Sequence, residues 1–238
     1  MKLRVFAAAA LFGVMAWFRP DIAFCHDAID VDANVSPWSS VGKINNSARS
    51  SCTGSLVAPN KVLTAAHCLF NRRTNRFLQA GSLHFLLGYR AGEYRLHARV
   101  ASYIMDPNYN PHDKKSILTD WAVLILQGAV ANDTRPLPLA TNAPVSEDHI
   151  MVGGFSRKHP FKMTADTRCE VRGVVRSGVI VHDCSVTHGI SGAPLLKATD
   201  QAEIRVIGIH VASGELNGSP IGFAVPVSSF GRQAAISH

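Results

Sequence analysis

From Ser36 onward the chain is a succession of short apolar runs rich in Val, Ile, Leu and Phe, separated by Gly, Pro, Asn and Asp. Stretches with helical spacing are few. Runs of this kind bounded by turn formers predict β-strands, and they fall at 41–45, 54–58, 61–64, 84–87, 95–104, 122–126, 149–154, 167–175, 179–183, 193–197, 205–211 and 222–226. So many short strands without alternating helices predict an all-β chain, and their number suits two small barrels. Between them lies Arg135-Pro136-Leu137-Pro138-Leu139-Ala140-Thr141-Asn142-Ala143-Pro144. Proline fixes φ and removes a donor, so this passage is expected to cross in extended form from a barrel over 26–134 to a second over 135–238. A short helix is expected in the tail, where Phe230 and Ile236 stand among small and polar residues.

Ahead of this pattern, Lys2 and Arg4 precede an apolar run of about 14 residues from Val5 to Phe18. A membrane-spanning helix needs roughly 20 residues, so residues 1–25 read as a secretory signal, with a cleavage point that the small residues near Ala23, Ala28 and Ala33 leave open. The expected product is secreted or periplasmic, without stable membrane insertion.

Composition narrows the class. The chain has 238 residues, 47% of them hydrophobic, with 24 Lys+Arg against 17 Asp+Glu. That excludes collagen, a coiled coil and a predominantly disordered chain. No run of five or six basic residues forms a phosphate-binding stripe, so nucleic acid is not an expected partner. Arg72, Arg73 and Arg76 form a small cluster that reads as a solvated loop.

Beyond Cys25 four cysteines remain, Cys52, Cys68, Cys169 and Cys184, and four allow three pairings. The local pairs Cys52–Cys68 and Cys169–Cys184 each close a short loop, and an oxidising compartment would preserve them. A structural metal is the poorer explanation, because the sequence has no C-x2-C and no H-E-x-x-H.

Three segments carry the chemistry. In 51–68 two strands deliver His67 beside Cys68, with the small residues Ala65 and Ala66 before it. A bridge there would hold an imidazole in the place a general base requires. In 119–126 Asp120 stands at the mouth of an apolar strand, where a buried carboxylate needs a partner such as an imidazole N–H. Asp106 and Asp113 are nearby competitors. In 183–196 Ser191 lies between Gly189 and Gly192, so the N–H groups of Gly189 and Ser191 are candidates for an oxyanion hole. Each segment alone has a bland reading: a structural histidine, a turn aspartate, a Gly/Ser turn.

Together they resemble the chymotrypsin-like serine proteases, and within them the bacterial glutamyl-endopeptidase-like branch, in the order His67, Asp120, Ser191. The motif Thr64-Ala65-Ala66-His67-Cys68 is the most specific element. The resemblance implies two six-stranded Greek-key barrels, a cleft between them and a short C-terminal helix. It implies a monomeric endopeptidase acting on protein or peptide without a cofactor.

Departures from the family pattern refine the expectation. Ile190 stands where animal trypsin-like enzymes carry an Asp that pairs with a newly cut N-terminus, so activation of that kind is not expected. Ser185, six residues before Ser191, puts no carboxylate at the pocket floor to select Lys or Arg. His210 resembles the histidine that receives an acidic P1 side chain in glutamyl endopeptidases, with Val211, Ala212 and Ser213 as the substrate-pairing strand. Val186 is apolar where a hydroxyl would help, which keeps a small apolar P1 as the rival. The alternative from another class is a catalytically silent homologue that binds a partner through its cleft. Asn45-Asn46-Ser47, Asn132-Asp133-Thr134 and Asn217-Gly218-Ser219 match the N-glycosylation pattern.

Overall fold

The computed structural model describes residues 27–46, 51–130 and 134–230. The leader expected over 1–25 lies outside the described residues.

Six strands form the first barrel: β1 (Val41–Asn46), β2 (Ser51–Ala58), β3 (Lys61–Thr64), β4 (Leu83–Leu87), β5 (Leu96–Met105) and β6 (Ala122–Leu126). They pair antiparallel in the closed order β1-β2-β3-β6-β5-β4. The second set is β7 (His149–Gly154), β8 (Thr164–Val174), β9 (Ile180–His182), β10 (Pro194–Ala198), β11 (Ile204–Leu216) and β12 (Ser219–Pro226). Its order is β8-β7-β10-β11-β12-β9, and pairing of β8 with β9 closes it. A two-residue strand, Ile29–Asp30, adds to the edge of β8. Helix is confined, among the described residues, to short 3-10 turns, and the expected C-terminal helix is represented by the turn Val227–Phe230, beyond which the tail is not described.

Each barrel is filled by the inward side chains of its own strands. Ile44, Leu56, Leu63, Phe85 and Leu124 are fully buried in the first, and Ile150, Ile180, Leu195 and Ile207 are buried in the second. Burial of one such side chain contributes roughly 1.5–3 kcal/mol, so these interiors dominate the stabilising terms.

The barrels meet along a seam that positions the site. Trp121, next to Asp120, packs against Phe230 of the turn Val227–Phe230, with ring centroids 5.7 Å apart and planes tilted by 57°. Lys43 crosses the other way, its Nζ donating to the Pro160 carbonyl at 2.7 Å and lying 4.3 Å over the Tyr89 ring. Burial pushes the Lys43 ammonium down from its ordinary pKa. The proline-rich passage bonds to both barrels: Leu137 N–H donates to Leu56 at 2.8 Å, then Val206 N–H to Pro138 at 2.9 Å and Ala140 N–H to Val206 at 2.8 Å.

Candidate active site

Strand β3 ends at Thr64, and the chain then turns through the 3-10 segment Ala66–Leu69, which carries His67. Ala65 and Ala66 have no exposed surface. A larger side chain at either position would push this turn away from the barrel. Cys68 is bonded to Cys52 of β2, which anchors the residue after the histidine to the neighbouring strand.

Asp120 ends the 3-10 turn Lys114–Thr119 and leads into β6. Its carboxylate is buried and both oxygens are used. Oδ1 accepts the His67 backbone N–H at 2.8 Å, and Oδ2 lies 2.7 Å from His67 Nδ1. A carboxylate against Nδ1 places the imidazole proton there and leaves the lone pair on Nε2. The competing aspartates serve local turns: Asp106 accepts from Asn108 N–H at 2.8 Å and Asp113 from Lys115 N–H at 2.9 Å.

Ser191 lies in the segment between β9 and β10, tied at its start by the Cys169–Cys184 disulfide. The first barrel grips this segment through Thr53 of β2. Thr53 N–H donates to the Ser191 carbonyl at 2.9 Å, its hydroxyl donates to the Gly189 carbonyl at 3.3 Å, and the same oxygen accepts from Phe155 N–H at 3.0 Å. The Ser191 carbonyl lies 3.8 Å from Cys68 Sγ, so the histidine and serine segments are in contact.

Two glycines are required by this grip. Gly189 has φ +103°, and a Cβ there would sit 2.6 Å from the Phe155 carbonyl. Gly192 has φ +81°, and its Cβ would overlap the Thr64 hydroxyl and the Thr53 carbonyl. The N–H groups of Ile190 and Ala193 donate within the turn, and that of Gly192 donates to the His210 carbonyl at 2.8 Å. Those of Gly189 and Ser191 have no acceptor among the described residues. Ile190 is buried in an apolar cluster with Cys169, Ala193 and Leu195.

Of the expected specificity residues, Ser185 donates its N–H to Asp166 Oδ2 at 2.8 Å, and Val186 packs half-buried on the second core. Val211, Ala212 and Ser213 follow His210 along β11, where the register with β12 shifts. His210 is buried, with Nδ1 3.1 Å from His182 Nε2 and Nε2 3.4 Å from Ser213 Oγ. His182, Thr53 and Asp166 were not among the residues singled out from the sequence. Each acts through a partner far away in the chain, and no local motif marks any of them.

The two buried rings resist protonation. Burial pushes His182 down to about 4, partly offset by Asp183, and holds His210 well below 6.5, with His182 and His67 adding to the effect. In the unfolded chain both titrate near 6.5. Between about pH 6.5 and 4 the unfolded chain therefore takes up protons that the folded rings refuse, and stability present above that window is lost as the pH falls. Urea midpoints should be level above pH 7 and decline from 6.5 to 4.5. A decline of the same size in His182→Gln and His210→Gln proteins would show that other groups cause it.

A ring nitrogen of His67 and the sulfurs of Cys52 and Cys68 lie within 4.8 Å of one another. The sulfurs are bonded to each other and offer no thiolate to a metal.

The Trypsin family model matches residues 29–232. A solved structure described as "Structure of Glu endopeptidase in complex with MPD" superposes with a TM-score of 0.69 and 19% identity, covering 87% of this chain and 95% of that one. At that identity the likeness is one of fold. A relative named "Inactive serine protease PAMR1", from Pongo abelii, is 29% identical over 164 residues, which is 60% of this chain and 21% of the relative. The chain thus spans about a fifth of that relative's length. The family match runs through both barrels and every segment of the cleft described above, and the chain belongs to the trypsin family.

Proposed function

We propose that the protein is an exported serine endopeptidase in which His67, Asp120 and Ser191 form the catalytic triad. The observation that carries this reading is the Asp120 carboxylate, which holds His67 through both its backbone N–H and its ring. Ser191 Oγ transfers its proton to His67 Nε2 and bonds to the scissile carbonyl carbon. The oxyanion is received by the N–H groups of Gly189 and Ser191. The C–N bond breaks as His67 returns the proton to the departing amine, leaving an acyl-Ser191 ester. Water deacylates it by the same proton path. Ile190, packed in an apolar cluster, offers no carboxylate to a new N-terminus, so activation does not use that ion pair. The disulfides and the family both agree with an extracellular or periplasmic site.

The P1 preference is acidic. His182 Nδ1 is buried and has no partner among the described residues. A buried lone pair costs less than an orphaned N–H, which places the His182 proton on Nε2, donating to His210 Nδ1. His210 then carries its own proton on Nε2, beside Ser213, where it can donate to a carboxylate. Ser185 and Val186 offer no opposing charge.

The similarity to a relative named as inactive favours one other reading, a silent homologue that binds through its cleft. Covalent labelling separates the two. A fluorophosphonate should modify the wild-type protein stoichiometrically at Ser191, located by peptide mapping. The same preparation should cleave a peptide with Glu at P1 at least about tenfold faster than its Ala counterpart. A folded protein that takes no label is the silent homologue, and equal rates would replace the acidic pocket with a small apolar one.

A further inference from the structure

Two cationic segments adjoin the histidine and serine segments of the site. The first is the hairpin of Phe70–Asn71 with Arg76–Phe77, which follows Cys68 and exposes Arg72, Arg73 and Arg76. It is held in place by the Leu78 N–H donating to Leu69 at 2.7 Å, and by edge contacts of Phe70 with Phe77 at 5.2 Å and of Phe77 with Tyr109 at 6.4 Å. The Tyr109 phenol is pushed up by burial and by the Asp120 carboxylate and drawn down by the Arg72 guanidinium, so Arg72 and Asp120 both act on this one ring. The second segment is the turn after β7. There Arg157 donates its N–H to the His188 carbonyl at 2.6 Å and, with Lys158, is exposed beside Gly189.

Residues 69–79 and 155–163 contain no Asp or Glu. Arg90, Lys162, Arg172, Lys197 and Arg205 each pair with a carboxylate. Arg72, Arg73, Arg76, Arg157 and Lys158 pair with none among the described residues. The Ser191 carbonyl lies beside Cys68, from which the hairpin follows, and the His188 carbonyl, three residues earlier, binds the turn.

We infer that the part of a substrate beyond the scissile bond passes between the hairpin and the turn, and that these five cations select acidic residues at P1′ to P3′, the first positions after the scissile bond. This rests on the endopeptidase reading for its direction of chain travel. Three extended residues span roughly 10 Å, comparable to the screening length at 0.1 M salt, so cations on both flanks act on the same short anionic stretch. Exposed charges give selectivity and association rate more than raw affinity, and salt weakens both.

Binding to the Ser191→Ala protein tests the inference without turnover. Fluorescent peptides sharing P4 to P1 and carrying Asp-Glu-Asp, Ala-Ala-Ala or Lys-Lys-Lys at P1′ to P3′ are titrated by anisotropy in 20 mM salt. The acidic peptide should bind about tenfold tighter than the alanine peptide, and most of that margin should vanish in 0.5 M salt. Changing Arg72, Arg73 and Arg76 to Gln should remove part of it, and adding Arg157→Gln and Lys158→Gln the rest. Equal affinities, or a margin that survives all five substitutions, would overturn the inference. Labelling of wild-type Ser191 decides the endopeptidase reading separately. A labelled protein without the acidic margin sinks only the subsite, and an acidic margin without labelling sinks only the catalytic reading.

Discussion

Ser191→Ala should reduce kcat about 10^6-fold against a peptide substrate and leave the thermal midpoint unchanged. The hydroxyl is the only group lost. What the fold uses from this residue is its backbone carbonyl, which accepts the Thr53 N–H at 2.9 Å, and alanine keeps it. The chemistry loses its nucleophile outright, and with it the covalent route. Residual activity should settle near the roughly 10^3–10^4-fold over water that oxyanion donors and substrate positioning supply in enzymes of this mechanism. His67→Ala combined with Ser191→Ala should then cost no more than Ser191→Ala alone, because the two act as one unit. A Ser191→Ala protein that keeps more than about a thousandth of the wild-type kcat would place the nucleophile elsewhere.

Asp120→Asn should lower kcat about 10^4-fold near neutral pH with little change in KM, as expected when the imidazole is held in the wrong tautomer. The amide is the same size as the carboxylate and its oxygen can still accept the His67 backbone N–H, now made to the carboxylate at 2.8 Å. The ring contact is the one that changes. An NH2 group facing Nδ1 donates to it, which forces the proton onto Nε2, where the lone pair is needed for Ser191. Rising pH should restore part of the rate by an alternative base, whereas loss of folding would not recover. A fall of less than tenfold in kcat would mean that Asp120 merely caps the His67 turn.

The strands were legible because each apolar run ends at a turn former within a few residues. Their limits were less so. β2 begins at Ser51 rather than at 54, since Cys52 and Thr53 are buried while looking like part of a polar loop. β11 runs on to Leu216, well past the apolar run that ends at 211, because residues 213–216 are exposed and form a two-stranded ribbon with β12. Asn217-Gly218 was the readable sign of that ribbon, as this dipeptide favours the left-handed conformations of a two-residue hairpin turn, and both residues have positive φ. Read as a glycosylation pattern alone, it concealed the hairpin.

Within the site, the residues inside local motifs stood out and those acting across the fold did not. Thr53 reaches Gly189 over 136 positions, and His182 meets His210 over 28. No spacing rule connects such pairs, because they are brought together by barrel closure and by the seam between barrels. Both disulfides, by contrast, tie a strand to the segment that follows the neighbouring strand, 16 and 15 residues further on, which is why local pairing was the natural expectation.

The grip of Thr53 on the serine segment also makes the site a gauge of how the two halves are docked. His67 and Asp120 ride on one barrel and Ser191 on the other, and the Thr53 contacts, with Trp121 against Phe230 and Lys43 against Pro160, set the offset between them. A slip of one half along the other by about an ångström would spare both interiors and every strand pairing, yet it would displace Ser191 from His67. If the protein is the endopeptidase proposed above, turnover is its most sensitive reporter of alignment, failing before any spectroscopic sign of unfolding.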